Sequence, residues 1–130
     1  MTKGAELRDD EAPGTVLVVD DDDCIRGALQ ALLEDEGYRV LAAENGLEAL
    51  AVCGEGLPSL IVLDLMMPKM DGVTFMEALR RGHPSIPPVL VLSASHRAPQ
   101  QDAQLGVEGY LAKPFDLDEL LHAVERLVRA

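Results

Sequence analysis

The sequence predicts an α/β domain: a five-stranded parallel sheet, doubly wound in the order 2-1-3-4-5 and covered by helices on both faces. Three observations predict it. Short apolar runs recur at 15–19, 38–42, 60–63, 89–92 and 109–112. They are too short for buried helices and largely lack polar alternation, as suits strands buried on both faces. Between them, apolar residues recur at helical spacing, so strands and helices alternate as βαβ units with right-handed crossovers. The first and third runs end abruptly on carboxylates, Asp20 and Asp64, at the strand ends where open α/β sheets bind ligands. Five units in 130 residues fit this flavodoxin-like (βα)5 order better than the longer dinucleotide-binding form.

Met1 to Pro13 is polar, with Glu6, Asp9, Asp10 and Glu11, and reads as a flexible acidic tail, leaving residues 14–130 as one folded domain. Thr15 to Val19 is the first strand and runs into Asp20-Asp21-Asp22-Asp23. Ile25, Ala28, Leu29, Leu32 and Leu33 then mark one face of a helix, which Gly37 stops. Tyr38 to Ala42 is the second strand. Asn45-Gly46 reads as a turn, and Leu47, Leu50 and Ala51 begin a short helix ending near Gly54. Leu60 to Leu63 is the third strand, delivering Asp64. After Met66-Met67-Pro68, Met70-Asp71-Gly72 breaks the chain before a helix marked by Val73, Met76 and Leu79. Val89 to Leu92 is the fourth strand, ending at Ser93. A weakly patterned helix is expected around Pro99 to Leu105. Gly109 to Ala112 is the fifth strand, and Lys113-Pro114 leads to Asp116, an N-cap candidate with Glu119 three residues on. Leu117, Leu120, Leu121, Val124, Leu127 and Val128 form the stripe of the last helix, with Arg126 and Arg129 favourably placed in its last turn.

Composition narrows the function. The formal net charge is -12, which disfavours direct nucleic-acid binding and anionic membrane surfaces and favours basic partners or cations. With two Tyr, two Phe and no Trp, the core is aliphatic. Cys24 and Cys53 match no metal or disulfide pattern and read as reduced, partly buried thiols. No run approaches membrane-spanning length and no signal peptide is recognisable, so a cytoplasmic location is expected.

In the predicted order the first and third strands are neighbours, about 4.8 Å apart, so Asp20, Asp21 and Asp64 share one rim. Two carboxylates about 5 Å apart repel by roughly 3 kcal/mol at an effective dielectric near 20. Three require a compensating cation, and an all-oxygen set suits Mg²⁺ or Mn²⁺. The fourth strand adds the Ser93 hydroxyl and the fifth is followed by the Lys113 ammonium. This set suits a phosphoryl group: the cation and Lys113 offset charge, Ser93 donates a hydrogen bond, and a carboxylate attacks. Asp64, alone at its strand end, is assigned as acceptor, and the Asp20-Asp21 doublet is assigned to the metal.

Val18-Val19-Asp20-Asp21, Leu63-Asp64 with Met67-Pro68 and Met70-Asp71-Gly72, Ser93-Ala94, and Tyr110 three before Lys113-Pro114-Phe115 together resemble the receiver domain of bacterial two-component response regulators, in its single-domain, chemotaxis-regulator-like form. The resemblance runs from about Thr15 to the C-terminus. It implies Asp64 as the aspartyl-phosphate site and Asp21 as a direct Mg²⁺ ligand. It further implies Asp20 acting through a bound water, the backbone carbonyl of Met66 as a ligand, and Ser93 and Lys113 on the phosphoryl group. Tyr110 would be a rotameric switch and Lys113-Pro114 a cis peptide. The implied partners are a histidine kinase or phosphotransfer protein as donor, and a downstream protein met by the surface of the fourth helix, fifth strand and last helix. The chain would be a monomer or a phosphorylation-dependent dimer, catalysing only its own phosphorylation and dephosphorylation. Lys113 follows Ser93 by 20 positions, a shorter interval than the family more often shows, so the fourth helix or the loop before it is expected to be trimmed.

Plainer readings stand beside these. Asp22 reads as an N-cap or first-turn charge, Ser93 as a helix cap, Tyr110 as a half-buried strand aromatic, and Met66, Met67 and Met70 as gap fillers. His83, His96 and His122 have no ligand spacing and read as solvated. The alternative function is a small Mg²⁺-dependent phosphohydrolase with Asp20 as nucleophile, because Asp20-x-Asp22 superficially resembles the haloacid-dehalogenase opening. Cys24, where that family has Thr or Val, and the lack of a substrate-capping insertion count against it.

Overall fold

Leu60–Asp64 is buried at every position, and a strand with apolar side chains on both sides needs a helical layer over each face. The computed structural model describes residues 14–67, 69–93 and 106–128. Within them β1 (Thr15–Val19), β2 (Arg39–Ala43), β3 (Leu60–Asp64), β4 (Val89–Ser93) and β5 (Gly109–Ala112) pair in parallel in the order β2-β1-β3-β4-β5. This is the doubly wound order read from the sequence. The tail at 1–13, the helix expected around 99–105 and Arg129 lie outside the described residues.

Strand periodicity divides the core in two. Val16, Val18, Leu60, Val62, Leu90 and Leu92 meet Leu29 and Leu33 of α1 (Asp23–Asp35) and Leu120, Val124 and Leu127 of the C-terminal helix (Leu117–Val128). The intervening residues Leu17, Val19, Ile61, Leu63, Val89 and Val91 meet Ala49 and Cys53 of α2 (Gly46–Glu55) and Phe75, Met76 and Leu79 of α3 (Gly72–Gly82). Register then fixes the rim. Val19 pairs with Leu63, Asp64 with Leu92, and Ser93 with Ala112, so the residue that follows β1 emerges beside the residue that ends β3.

Local chemistry sets where helices begin. Asp22 caps α1, its side chain accepting the amides of Cys24 and Ile25, and Gly37 leaves that helix at φ 98°, a conformation glycine adopts without steric cost. Asp71 caps α3 through the Thr74 amide. At the next position a Cβ on Gly72 would stand 2.9 Å from the Leu65 Cα, so the Met70-Asp71-Gly72 sequence serves a close return of the loop onto β3. Asp116 accepts the Asp118 amide, and Glu119 reaches back toward the Asp116 amide at 3.4 Å, as the spacing predicted.

The structure corrects several expectations. Asn45-Gly46 starts α2 instead of forming a turn: Asn45 accepts the Glu48 amide at 2.9 Å and Glu48 accepts the Glu44 amide at 2.9 Å. Asparagine serves both turns and caps because its short side chain imitates a backbone acceptor. The inner face of α2 is accordingly Ala49 and Cys53, while Leu47 and Ala51 are exposed. Ala28 of α1 and Leu117 of the C-terminal helix are also exposed. β2 begins at Arg39, one residue later than read. Cys53 is buried, which pushes its thiol pKa up, and Cys24 is exposed. His122 is exposed and His83 half-buried, and His96 lies outside the described residues.

Candidate functional site

The residue after β1 and the residue that ends β3 are both carboxylates, and both are buried: Asp20 is 0% exposed and Asp64 4%. Buried charges need partners. Lys113, which follows β5, supplies one. Its Nζ lies 3.0 Å from Asp20 Oδ2 and 3.7 Å from Asp64 Oδ2. The other Asp20 oxygen accepts the Asp22 amide at 2.9 Å, and the Asp20 amide donates to the Ala43 carbonyl at 3.1 Å. The Met66 amide donates to Asp64 Oδ1 at 3.2 Å. Asp21 is exposed, yet one carboxylate oxygen from each of Asp20, Asp21 and Asp64 falls within 4.8 Å of the others.

Electrostatics leave Asp64 under-compensated. Its pKa is raised from 3.8 to about 6, first by burial and further by the charges of Asp20 and Asp21, against the opposing pull of the Met66 amide and Lys113. One ammonium serving two buried carboxylates beside a third leaves net negative charge on the rim. An all-oxygen, carboxylate-rich site with one exposed member fits a hard divalent cation that keeps part of its water shell. The residues present therefore fit Mg²⁺ or Mn²⁺.

The remaining expected residues fall around this centre. Ser93 is fully buried at the end of β4, next to β3, and its carbonyl accepts the Lys113 amide at 2.8 Å. Lys113-Pro114 is cis, as the resemblance implied. Tyr110 is half-buried on β5, opposite Val91, and packs against the core layer under α2 and α3. Met66 departs from expectation: it is 63% exposed, because Leu65, 2% exposed, takes the interior place after the strand ends. Met67 and Met70 do pack against the core. Asp22 points into α1 as its cap. A hollow of about 360 Å³, lined by Ile25, Lys113, Pro114 and Phe115, adjoins the site through Lys113.

Arg26 was not read from the sequence as part of this rim. Its Nη1 donates to the Asp20 carbonyl at 2.8 Å, and its Nη2 pairs with the Asp23 carboxylate. An arginine closely following a run of acids reads as a surface ion pair, and a backbone acceptor leaves no mark in a sequence.

A family model for the response regulator receiver domain matches residues 16–125. The chain belongs to this family. The receiver domain is 40% identical over 119 residues to the response regulator MprA of Mycobacterium sp. (strain KMS), covering 90% of this chain and 51% of that protein. It therefore spans about half the length of the curated relatives it matches. Among solved structures, the Francisella response regulator 1452 receiver domain superposes with a TM-score of 0.82 at 34% identity, covering 89% of this chain and 97% of that one. The Vibrio cholerae chemotaxis response regulator CheY4 gives 0.79 at 34% identity, covering 87% and 97%. The receiver domain is thus a two-component signalling module. No helix among the described residues is long and apolar enough to cross a membrane.

Proposed function

We propose that this receiver domain accepts a phosphoryl group on Asp64 from the phosphohistidine of a histidine kinase or phosphotransfer protein. The observation that carries the reading is the meeting of Asp64, Asp20 and Lys113 from three strand ends within 4 Å of the lysine nitrogen. An Asp64 carboxylate oxygen attacks phosphorus as the phosphorus–nitrogen bond breaks, the electron pair stays with the imidazole, and an aspartyl phosphate remains. Lys113 offsets charge on the phosphoryl oxygens, and the Ser93 hydroxyl donates to one of them. Asp20, Asp21, Asp64 and the Met66 backbone carbonyl would hold Mg²⁺ or Mn²⁺, which would supply further charge neutralisation. Both Asp20 oxygens are already engaged, whereas Asp21 is exposed. That contrast favours Asp21 as a direct ligand and Asp20 as one acting through water.

The phosphorylated domain then alters the surface of β5 and the C-terminal helix, with Tyr110 as the switch, to regulate a protein partner. The folded unit is residues 14–130, the setting is the cytoplasm, and the only chemistry is the domain's own phosphorylation and dephosphorylation. The phosphohydrolase alternative needs Asp22 as a second working acid, and Asp22 is occupied in capping α1.

The test is incubation of the purified chain with acetyl phosphate and Mg²⁺. One acid-stable, base-labile phosphoryl group per chain is expected by intact mass, located on Asp64, and absent from Asp64→Asn. Many turnovers of phosphate release, abolished by Asp20→Asn and retained by Asp64→Asn, would establish the phosphohydrolase instead.

A further inference from the structure

We infer that Arg26 is a positioning residue for the divalent-cation site, holding the Asp20–Asp21 peptide so that the Asp21 carboxylate joins those of Asp20 and Asp64. The inference rests on the reading of that site proposed above. Arg26 lies in the first turn of α1, yet its side chain is only 19% exposed, because it folds back against the rim. Its Nη1 donates to the Asp20 carbonyl at 2.8 Å, and that carbonyl belongs to the peptide from which Asp21 projects. Asp23, 84% exposed, pairs with the other arm of the guanidinium. A planar fork with one arm on a carboxylate and the other on a carbonyl is held in orientation in a way a single ammonium is not.

Asp21 depends on this support more than Asp20 does. The Asp20 side chain is tied by the Asp22 amide and Lys113, and its amide by Ala43. Among the described residues no hydrogen bond or ion pair holds the Asp21 carboxylate, and β1 has already ended at Val19. The peptides on either side of Asp21 therefore aim it: the Asp22 amide ties the following one to Asp20 Oδ1 at 2.9 Å, and Arg26 grips the preceding one.

Charge and position predict opposite outcomes. A guanidinium close to a cation site repels the cation, so at fixed geometry removing it should tighten binding. If Arg26 acts by position, removing it should weaken binding despite the lost repulsion. Outer-shell partners of metal ligands typically contribute roughly ten- to a hundredfold in affinity.

The experiment titrates the full chain with Mn²⁺, reading the free ion by electron paramagnetic resonance. The expected result is a Kd raised about tenfold in Arg26→Ala, with a smaller rise in Arg26→Lys, which keeps the charge but loses the fork. The labelling rate of Asp64 by acetyl phosphate should recover at saturating Mn²⁺, because Arg26 touches no reacting atom. A Kd unchanged or lowered in Arg26→Ala, or a labelling rate still depressed at saturation, overturns the inference. Metal-free urea denaturation reports folding, and if Arg26→Ala does not fold, Arg26→Lys decides: an unchanged Kd in that variant overturns the inference. A wild-type chain that binds no Mn²⁺ removes the proposed site and this inference with it. Wild-type binding with an indifferent Arg26 removes the inference alone.

Discussion

Asp64 sits where the fold tolerates its charge poorly. Its folded pKa of about 6 lies above the ordinary 3.8, so between those values the folded chain holds a proton that the unfolded chain has lost. Raising pH through that window destabilises the metal-free domain, and the cost is fully present above about pH 6 and absent below about pH 4. A shift of this size corresponds to about 3 kcal/mol. With 4% exposure, Asp64 has little solvent to screen it. Asp64→Asn should therefore stabilise the metal-free domain at pH 7.5 by about 1–3 kcal/mol, and the gain should shrink toward zero at pH 4. Urea denaturation in a chelator at both pH values measures it. A gain equally large at pH 4 would assign the effect to packing and not to charge.

At the scale of elements, Asp22 separates capping from chemistry. Its side chain accepts two amides at the start of α1, so Asp22→Ala should cost about 1 kcal/mol, while Asp22→Asn, which keeps the acceptor, should cost much less. Neither change should abolish Asp64 labelling, and loss of labelling in Asp22→Asn would mean that Asp22 belongs to the reacting site. The same duality explains what the sequence could reveal. Strands were readable almost to the residue because burial on both faces demands unbroken apolar runs, and Leu60–Asp64 and Val89–Ser93 are buried throughout. The span of α2, Gly46–Glu55, is legible, but its cap and inner face are not, because Asn45-Gly46 spells a turn as readily as a cap, and because Ala49 and Cys53 are small inner-face residues beside a more conspicuous, exposed Leu47. Asp20, Asp64 and Lys113 were legible from their places at strand ends. The exposure of Met66 was not, since it follows from Leu65 taking the interior position, and Arg26 was not, since its partner is a carbonyl.

At the scale of the molecule, the acidic rim exists only when the sheet is formed. Asp20 and Asp21 follow β1, and Asp64 ends β3, more than forty residues further along the chain. Register alone brings them together. A cation that binds this cluster binds the folded chain in preference to the unfolded one, adding about 2.7 kcal/mol of stability at a hundred times its Kd. A competing effect must be separated. With a net charge of -12, the folded domain repels itself, and any salt relieves that repulsion. Mg²⁺ should thus raise the urea midpoint well beyond NaCl of matched ionic strength, with the denaturant slope unchanged, because the same surface is exposed on unfolding. Asp21→Asn should lose most of this excess while keeping the response to NaCl. The excess should also fall as pH drops through about 6, since a cation must displace the proton that metal-free Asp64 holds there. Equal midpoint shifts from Mg²⁺ and matched NaCl, in wild type and Asp21→Asn alike, would leave only diffuse screening and remove the cation site from the fold's energetics.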